Sequence, residues 1–373
     1  MSTTVFATEV RATAAPQARG LHRLAALPLV LGIFCSFWGL AYDIQWHSEV
    51  GPDTFFTLPH LFLYSGVALA GLTALLVVLY STYTYRAGRS AFAVAQLTSL
   101  WGGRFWAPIG FMIAGFGSLA FLLFGLYDEW WHSLYGFDVT ILSPPHIGLF
   151  SSILINMVGC IALFTGMRNR ATGRLTPGAM LGLAITVAIL LGTLVIFIGL
   201  LALLPLLPNP HELGMALAFA ITLLMVASST RQPGVATLTA LIFTGLRTLV
   251  WFLAPWATAR YAASLGLYLR DYATGVSEVA SAMPKWALVA AVAVDLAFWL
   301  GRRYHWSLFW VVALAGGASA LLLVWPQQYL PADFAPLAAI TPVLAAVLGA
   351  AAGWIGWKLG IVLRKTTGPR SDL

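Results

Sequence analysis

Two stretches of the chain place carboxylates and imidazoles at matching intervals. Tyr42-Asp43-Ile44-Gln45-Trp46-His47 is followed by Asp53 and Pro59-His60, and Tyr127-Asp128-Glu129-Trp130-Trp131-His132 by Asp138 and Pro145-His146. In each, a histidine stands four residues after the first acid, a second acid ten after it, and a Pro-His follows. Residues four apart share one face of a helix, so Asp43 with His47, and Asp128 with His132, point the same way. A following antiparallel helix that opens on His60 or His146 brings a second imidazole beside each pair. One carboxylate and two imidazoles suit copper, zinc or non-haem iron, for one ion or two in all, and the ligand types alone do not choose. Asp53 and Asp138 fit outer partners that hold a histidine tautomer by a hydrogen bond, or loop caps.

A single intramembrane His near an Asp is ordinarily a hydrogen-bonded pair. Duplication changes that reading. An ionisable side chain at mid-membrane costs on the order of 3 kcal/mol, and packing does not explain Asp, His, Asp, Pro and His kept twice in one order. Other polar residues carry weaker signals. His211 and Glu212 open a later apolar run and read as extra ligands, proton carriers or a helix N-terminal charge preference. Glu129 fits a bridging or proton-shuttling group. Asp295 is expected to pair with Arg302, Arg303 or Arg247, and Trp46, Trp130 and Trp131 to lie in an interfacial aromatic belt. Cys35 and Cys160 sit in separate apolar runs and define neither a disulfide framework nor a metal knuckle.

The elements that must position these residues are membrane helices. Of 373 residues, 60% are hydrophobic and only 9% charged, the composition of a polytopic membrane protein. The net charge of +7 comes from 20 Lys and Arg scattered among short loops, without the clustered stripe that nucleic acid requires. Runs long enough to span a bilayer fall near residues 24–46, 57–80, 105–131, 145–166, 178–204, 211–228, 234–254, 284–301, 306–325 and 336–362. The apolar run after Arg23 is too long for a signal-peptide core and reads as a retained first span. The fold expected is an all-α polytopic bundle of about ten transmembrane helices built from hairpins.

Cations fall in alternate connections: Arg11, Arg19 and Arg23; Arg86, Arg89 and Arg104; Arg168, Arg170 and Arg174; Arg231; Arg302 and Arg303; Arg364, Lys365 and Arg370. The positive-inside rule makes that side cytoplasmic, with both termini inside and both acid/histidine stretches on the outer face. Pro59-His60, Pro145-His146 and Pro210-His211 each open a span, a position where proline's missing N–H costs nothing, and they mark a repeated hairpin. Residues 1–20 read as a polar tail, 21–166 as a duplicated metal-binding unit of four helices, and 167–373 as a further bundle of about six. The connection from about Pro255 to Met283, with Arg260, Arg270, Asp271 and Glu278, reads as a partly helical outer-surface segment.

Asp43, His47 and His60 stand at 0, +4 and +17, and Asp128, His132 and His146 at 0, +4 and +18. This resembles the C subunit of the particulate methane and ammonia monooxygenases over about residues 30–160. That family's Asp-Thr-x-Phe-Thr-Pro-x-His run looks like Asp53-Thr54-Phe55-Phe56-Thr57-Leu58-Pro59-His60, with the proline shifted by one. The resemblance implies that Asp43, His47 and His60 form one copper set and Asp128, His132 and His146 an adjacent one. Asp128 stands where the family has Asn, and no cupredoxin-like segment is present.

Three functions follow as expectations. The first is a copper-dependent, monooxygenase-like oxidoreductase in a bacterial inner membrane, acting with dioxygen on a small apolar substrate that enters from the lipid bilayer. It would draw electrons from a donor such as quinol, with partner subunits or further copies of itself. The second is a non-enzymatic protein that binds, transports or loads copper or another transition metal. The third is a structural bundle without metal, or one holding haem.

Overall fold

In a computed structural model, residues 3–51, 54–89, 97–136, 142–168, 172–201, 208–326 and 337–367 are described, with side chains from residue 24 onward except 200 and 201. The elements are α1 (Thr3–Glu49), α2 (Leu58–Arg86), β1 (Leu97–Leu100), β2 (Phe105–Pro108), α3 (Ile109–Tyr135), α4 (Pro144–Gly166), α5 (Pro177–Leu201), α6 (Pro210–Thr230), α7 (Val235–Ser264), α8 (Glu278–Ala282), α9 (Ala287–Arg303), α10 (Leu308–Val324) and α11 (Thr341–Thr367). The chain is an all-α membrane bundle. Among the described residues, eight helices are long and apolar enough to cross a bilayer: α1 from Leu24, α2, α3, α4, α5 up to Gly199, α6, α7 and α11. Helices α9 and α10 have 17 residues each, just short of the roughly 20 needed to cross at 1.5 Å per residue.

Prolines open α2, α4 and α6 as their sequence positions require. Two boundaries differ from expectation. Phe105–Pro108 does not begin the third span but pairs antiparallel with Leu97–Leu100. Its edge is tied to α2 where the Trp106 N–H donates to Thr82 Oγ1 at 2.9 Å, and Pro108, extended at ψ 135°, precedes the helix. Helix α7 continues through Pro255 to Ser264, so the first part of the supposed surface segment belongs to a span. Proline removes one hydrogen bond from the ladder, while neighbouring turns and the packing against α1 carry the helix past it. The remainder of that segment contains the short α8.

Small residues set how closely the first four helices approach. Lipid gives no hydrophobic drive between spans, so close backbone packing and polar contacts must hold them. A Cβ on Gly32 would fall 2.6 Å from the Gly66 carbonyl oxygen, and one on Gly117 would fall 2.9 Å from that of Ser152. Gly32 and Gly117 both lie eleven residues before the first acid of their stretch, and Gly66 and Ser152 both six after the Pro-His histidine. The repeat therefore includes the helix crossing as well as the polar ends. About two turns further along α1 and α3, toward the polar end, the bulk changes sides: Gly39 packs on Leu63 in the first hairpin, while Gly148 packs on Phe124 in the second. The hairpins join through α2 and α3, where Ser118 Oγ lies 3.4 Å from the Val67 carbonyl oxygen and 3.1 Å from the buried Asn156 side chain.

Asp295 does not pair with an arginine. Its Oδ1 accepts from Gly234 N at 3.1 Å, and Oδ2 accepts from Thr237 N at 2.8 Å and Thr237 Oγ1 at 2.7 Å. The carboxylate caps the start of α7, where exposed N–H groups and the helix dipole favour negative charge. Arg247 instead donates to the carbonyl oxygens of Ala280 and Met283.

Candidate metal centre

Each hairpin gathers its acid and two histidines at one end. In the first, His60 Nε2 stands 3.2 Å and His47 Nε2 3.7 Å from Asp43 Oδ1. In the second, His132 Nε2 and His146 Nε2 each stand 3.4 Å from Asp128 Oδ1. The ligand atoms of each triplet lie within 4.8 Å of one another, and among the described residues these are the groups of three or more metal-type side chains that converge.

The orientation of the rings separates a ligand set from a hydrogen-bonded cluster. Asp43 Oδ1 and Asp128 Oδ1 are buried and accept no hydrogen bond, although two imidazole nitrogens face each. A buried carboxylate oxygen without a partner is costly, and a cation among the three atoms would satisfy it. Backbone carbonyls orient one ring in each set. His60 Nδ1 lies 3.0 Å from the Thr54 carbonyl oxygen, and His132 Nδ1 3.0 Å from that of Gly136. A carbonyl only accepts, so Nδ1 carries a proton; in the neutral ring Nε2 then keeps its lone pair for the centre, the arrangement usual for metal-bound histidine. Both triplets fit a transition-metal dication: one negative carboxylate, two neutral nitrogens, and positions left for further ligands.

Local structure explains the convergence. Asp43/His47 and Asp128/His132 lie one turn apart near the C-terminal ends of α1 and α3. His60 and His146 lie in the first turns of α2 and α4, and Ser143 Oγ caps α4 by accepting from His146 N at 3.3 Å. The two centres are neighbours. The His60 ring stacks on Tyr64 with centroids 5.7 Å apart, Tyr64 meets Phe121 of α3 edge-on at 6.3 Å, and His60 lies within electrostatic range of Asp128.

The copies differ on their outer faces. Tyr42 and Trp46 are buried: the Tyr42 hydroxyl donates to the Ala257 carbonyl oxygen at 3.1 Å, and Trp46 packs on Tyr261 of α7. Trp46 is therefore a core residue and not part of an interfacial belt, because α7 covers this side of α1. The corresponding Tyr127 and Trp131 have no such cover and pack on each other and on Trp130 and Tyr135. Gln45 and Glu49 latch the loop before α8 to α1. Gln45 donates to the Val276 carbonyl oxygen and accepts from Glu278 N, and Glu49 accepts from Gly275 N at 2.9 Å. Arg270 adds a hydrogen bond to the His47 carbonyl oxygen at 3.0 Å. In the second copy the positions of Gln45 and Glu49 hold the exposed Trp130 and Leu134. Polar residues in an otherwise apolar span were the available signal for this latch, but their partners lie more than two hundred residues away.

His211 and Glu212 occupy the first turn of α6 and join neither triplet; His211 Nε2 lies 3.2 Å from the Ala282 carbonyl oxygen. Glu129 is exposed on α3, next to Asp128 in the chain, and joins neither triplet. Asp53 and Asp138 lie outside the described residues.

Fold and site together define a membrane-embedded helical protein with two adjacent Asp/His/His groups able to bind metal. Compared with protein-family models, curated proteins and solved structures, the chain matches none.

Proposed function

We propose that this protein is an integral-membrane, copper-dependent oxidoreductase of monooxygenase type, acting with dioxygen on a small apolar substrate that arrives through the bilayer. The observation that carries the reading is the pair of buried, unsatisfied carboxylate oxygens, each faced by two imidazole Nε2 atoms. Asp43, His47 and His60 would hold one ion and Asp128, His132 and His146 another. Copper supplies one-electron chemistry and dioxygen activation when bound. Asp128 adds negative charge to the second centre, and iron or zinc remains the alternative there. The carbonyls of Thr54 and Gly136 fix the rings of His60 and His132. Tyr64, stacked on His60 and in edge contact with Phe121, puts aromatic surface beside the first centre, which would favour an apolar substrate. Glu129, beside Asp128 and exposed, is suited to carry protons to or from the second centre.

In this reading, ten crossings place both termini in the cytoplasm and the centres near the periplasmic face of a bacterial inner membrane, with α9 and α10 completing the count. Quinol is the proposed donor, and partner subunits or further copies complete the assembly. The alternative is non-enzymatic metal binding, transport or loading. Transport calls for polar residues in steps across the bundle. Asp295, the inward acid suited to such a relay, has both oxygens engaged by α7.

Copper-loaded protein in detergent with a reduced quinol and a panel of short hydrocarbons should consume oxygen, and the Asp43→Ala, Asp128→Ala double variant should not. Stable copper binding without oxygen consumption for any donor or hydrocarbon would favour the alternative, and absence of bound metal would reject both.

A further inference from the structure

Three helices end together at the pole opposite the metal centres, and each brings an arginine. Helices α6 and α11 pack parallel: Gly356 lies against the Ile221 carbonyl, Gly360 against that of Met225, and Ser228 Oγ donates to the Trp357 carbonyl oxygen at 2.8 Å. The end of α4 joins them where Gly166 approaches Thr367. Arg168, just past α4, is half-buried; its Nε donates to the Thr165 carbonyl oxygen at 2.9 Å, and its Nη2 donates to that of Ser229. Arg231 is the left-handed C-cap of α6, and Arg364 lies in the last turn of α11.

The loops hold two of these arginines in place. Arg168 bridges to Leu175, and the Gln232 side chain, next to Arg231, accepts from Leu175 N at 2.9 Å and donates to its carbonyl oxygen at 3.4 Å. Among the described residues no carboxylate pairs with any of the three arginines, and both oxygens of Asp295, near the start of α7, are engaged. Arg168 already satisfies helix-end carbonyls, so helix capping accounts for it alone. Arg231 caps α6 through its backbone N–H to the Ala227 carbonyl oxygen, so capping leaves only the side chains of Arg231 and Arg364 unexplained, as like charges near Arg168. Burial, followed by the charges of Arg364 and Arg231, pulls the Arg168 guanidinium down to about 10, where it remains a cation at neutral pH.

We propose that Arg168, Arg231 and Arg364 form a phosphate site that holds the headgroup of an anionic phospholipid at the joined ends of α4, α6 and α11. Guanidinium forks match phosphate oxygens and bind them by charge-assisted hydrogen bonds, and basic pockets between membrane helices at the cytoplasmic surface recognise lipid phosphates. The site is independent of the metal centres. It would fasten α11 to α4 and α6 through the lipid.

Thermal unfolding of the full chain in detergent micelles tests this. Phosphatidylglycerol should raise the midpoint by several degrees relative to phosphatidylcholine, inorganic phosphate should not reproduce the rise, and Arg231→Gln with Arg364→Gln should abolish it. Neither variant side chain donates a hydrogen bond to the helix ends as that of Arg168 does, and Arg174→Gln, in the nearby loop, should keep the full rise. Native mass spectrometry should show phosphatidylglycerol retained by wild type and lost from the double variant. Equal responses of wild type and double variant, or equal responses to the two lipids, would overturn the site. A full rise with inorganic phosphate would overturn the lipid as its ligand.

Discussion

Replacing Asp128 with alanine is expected to reduce bound metal from two ions per chain to one, and Asp43→Ala is expected to remove the other. Each carboxylate is the anionic member of its triplet, and its Oδ1 is the atom that both imidazoles face. Loss of an outer hydrogen-bond partner of a metal ligand costs about 10- to 100-fold in affinity, so loss of a ligand itself should cost at least about 100-fold. Asp128→Asn is the informative intermediate. It keeps the shape and an oxygen donor and removes one charge. It should retain a metal with lower affinity and an altered electron paramagnetic resonance signal. Metal analysis of the purified protein reads these outcomes, and two ions persisting in Asp128→Ala would place the second ion elsewhere.

Gly159→Leu is expected to give the largest loss of stability among single substitutions in the first four helices. A Cβ at Gly159 would lie 2.5 Å from the Ala114 backbone nitrogen and 2.7 Å from the Gly110 carbonyl oxygen. Backbone cannot yield as a flexible side chain can, so α3 and α4 must separate. Overpacking a core costs roughly 1–3 kcal/mol where side chains can shift, and a forced backbone separation should exceed that range. The same separation moves His146 away from Asp128, so the second centre should lose metal while the first keeps it. Gly125→Leu, on the partner helix α3 with no atom within 4 Å of its added Cβ, should leave both stability and metal content near wild type. Thermal unfolding with metal analysis distinguishes the two variants; equal behaviour would mean that the α3/α4 crossing does not position the second centre.

The convergence of the two Asp/His/His groups was legible in the chain because its information is carried by residue type and interval. An acid and a histidine four apart identify a helix face, and Pro-His identifies the start of the returning helix. The helix crossings were less legible, since Gly32 and Gly117 are two of 35 glycines and only the antiparallel register shows which approach a neighbour. The groups that orient His60 and His132 are the main-chain carbonyls of Thr54 and Gly136. Every residue carries a carbonyl, so no side-chain pattern could reveal them. Asp295 was misread for a related reason. Charge complementarity suggested an arginine, but its partners are the N–H groups opening α7 and a threonine hydroxyl. The covering of Trp46 by α7 depended on a helix extending past Pro255 to reach it with Tyr261.

Anomalous diffraction from crystals of metal-loaded protein, collected at the copper absorption edge, tests the central claim most directly. It should give two peaks, one among Asp43, His47 and His60 and one among Asp128, His132 and His146, each about 2.0–2.2 Å from its ligand atoms. Peaks elsewhere, at His211 and Glu212 for example, or none in metal-loaded crystals, would contradict the assignment of the repeated Asp/His/His groups as metal centres.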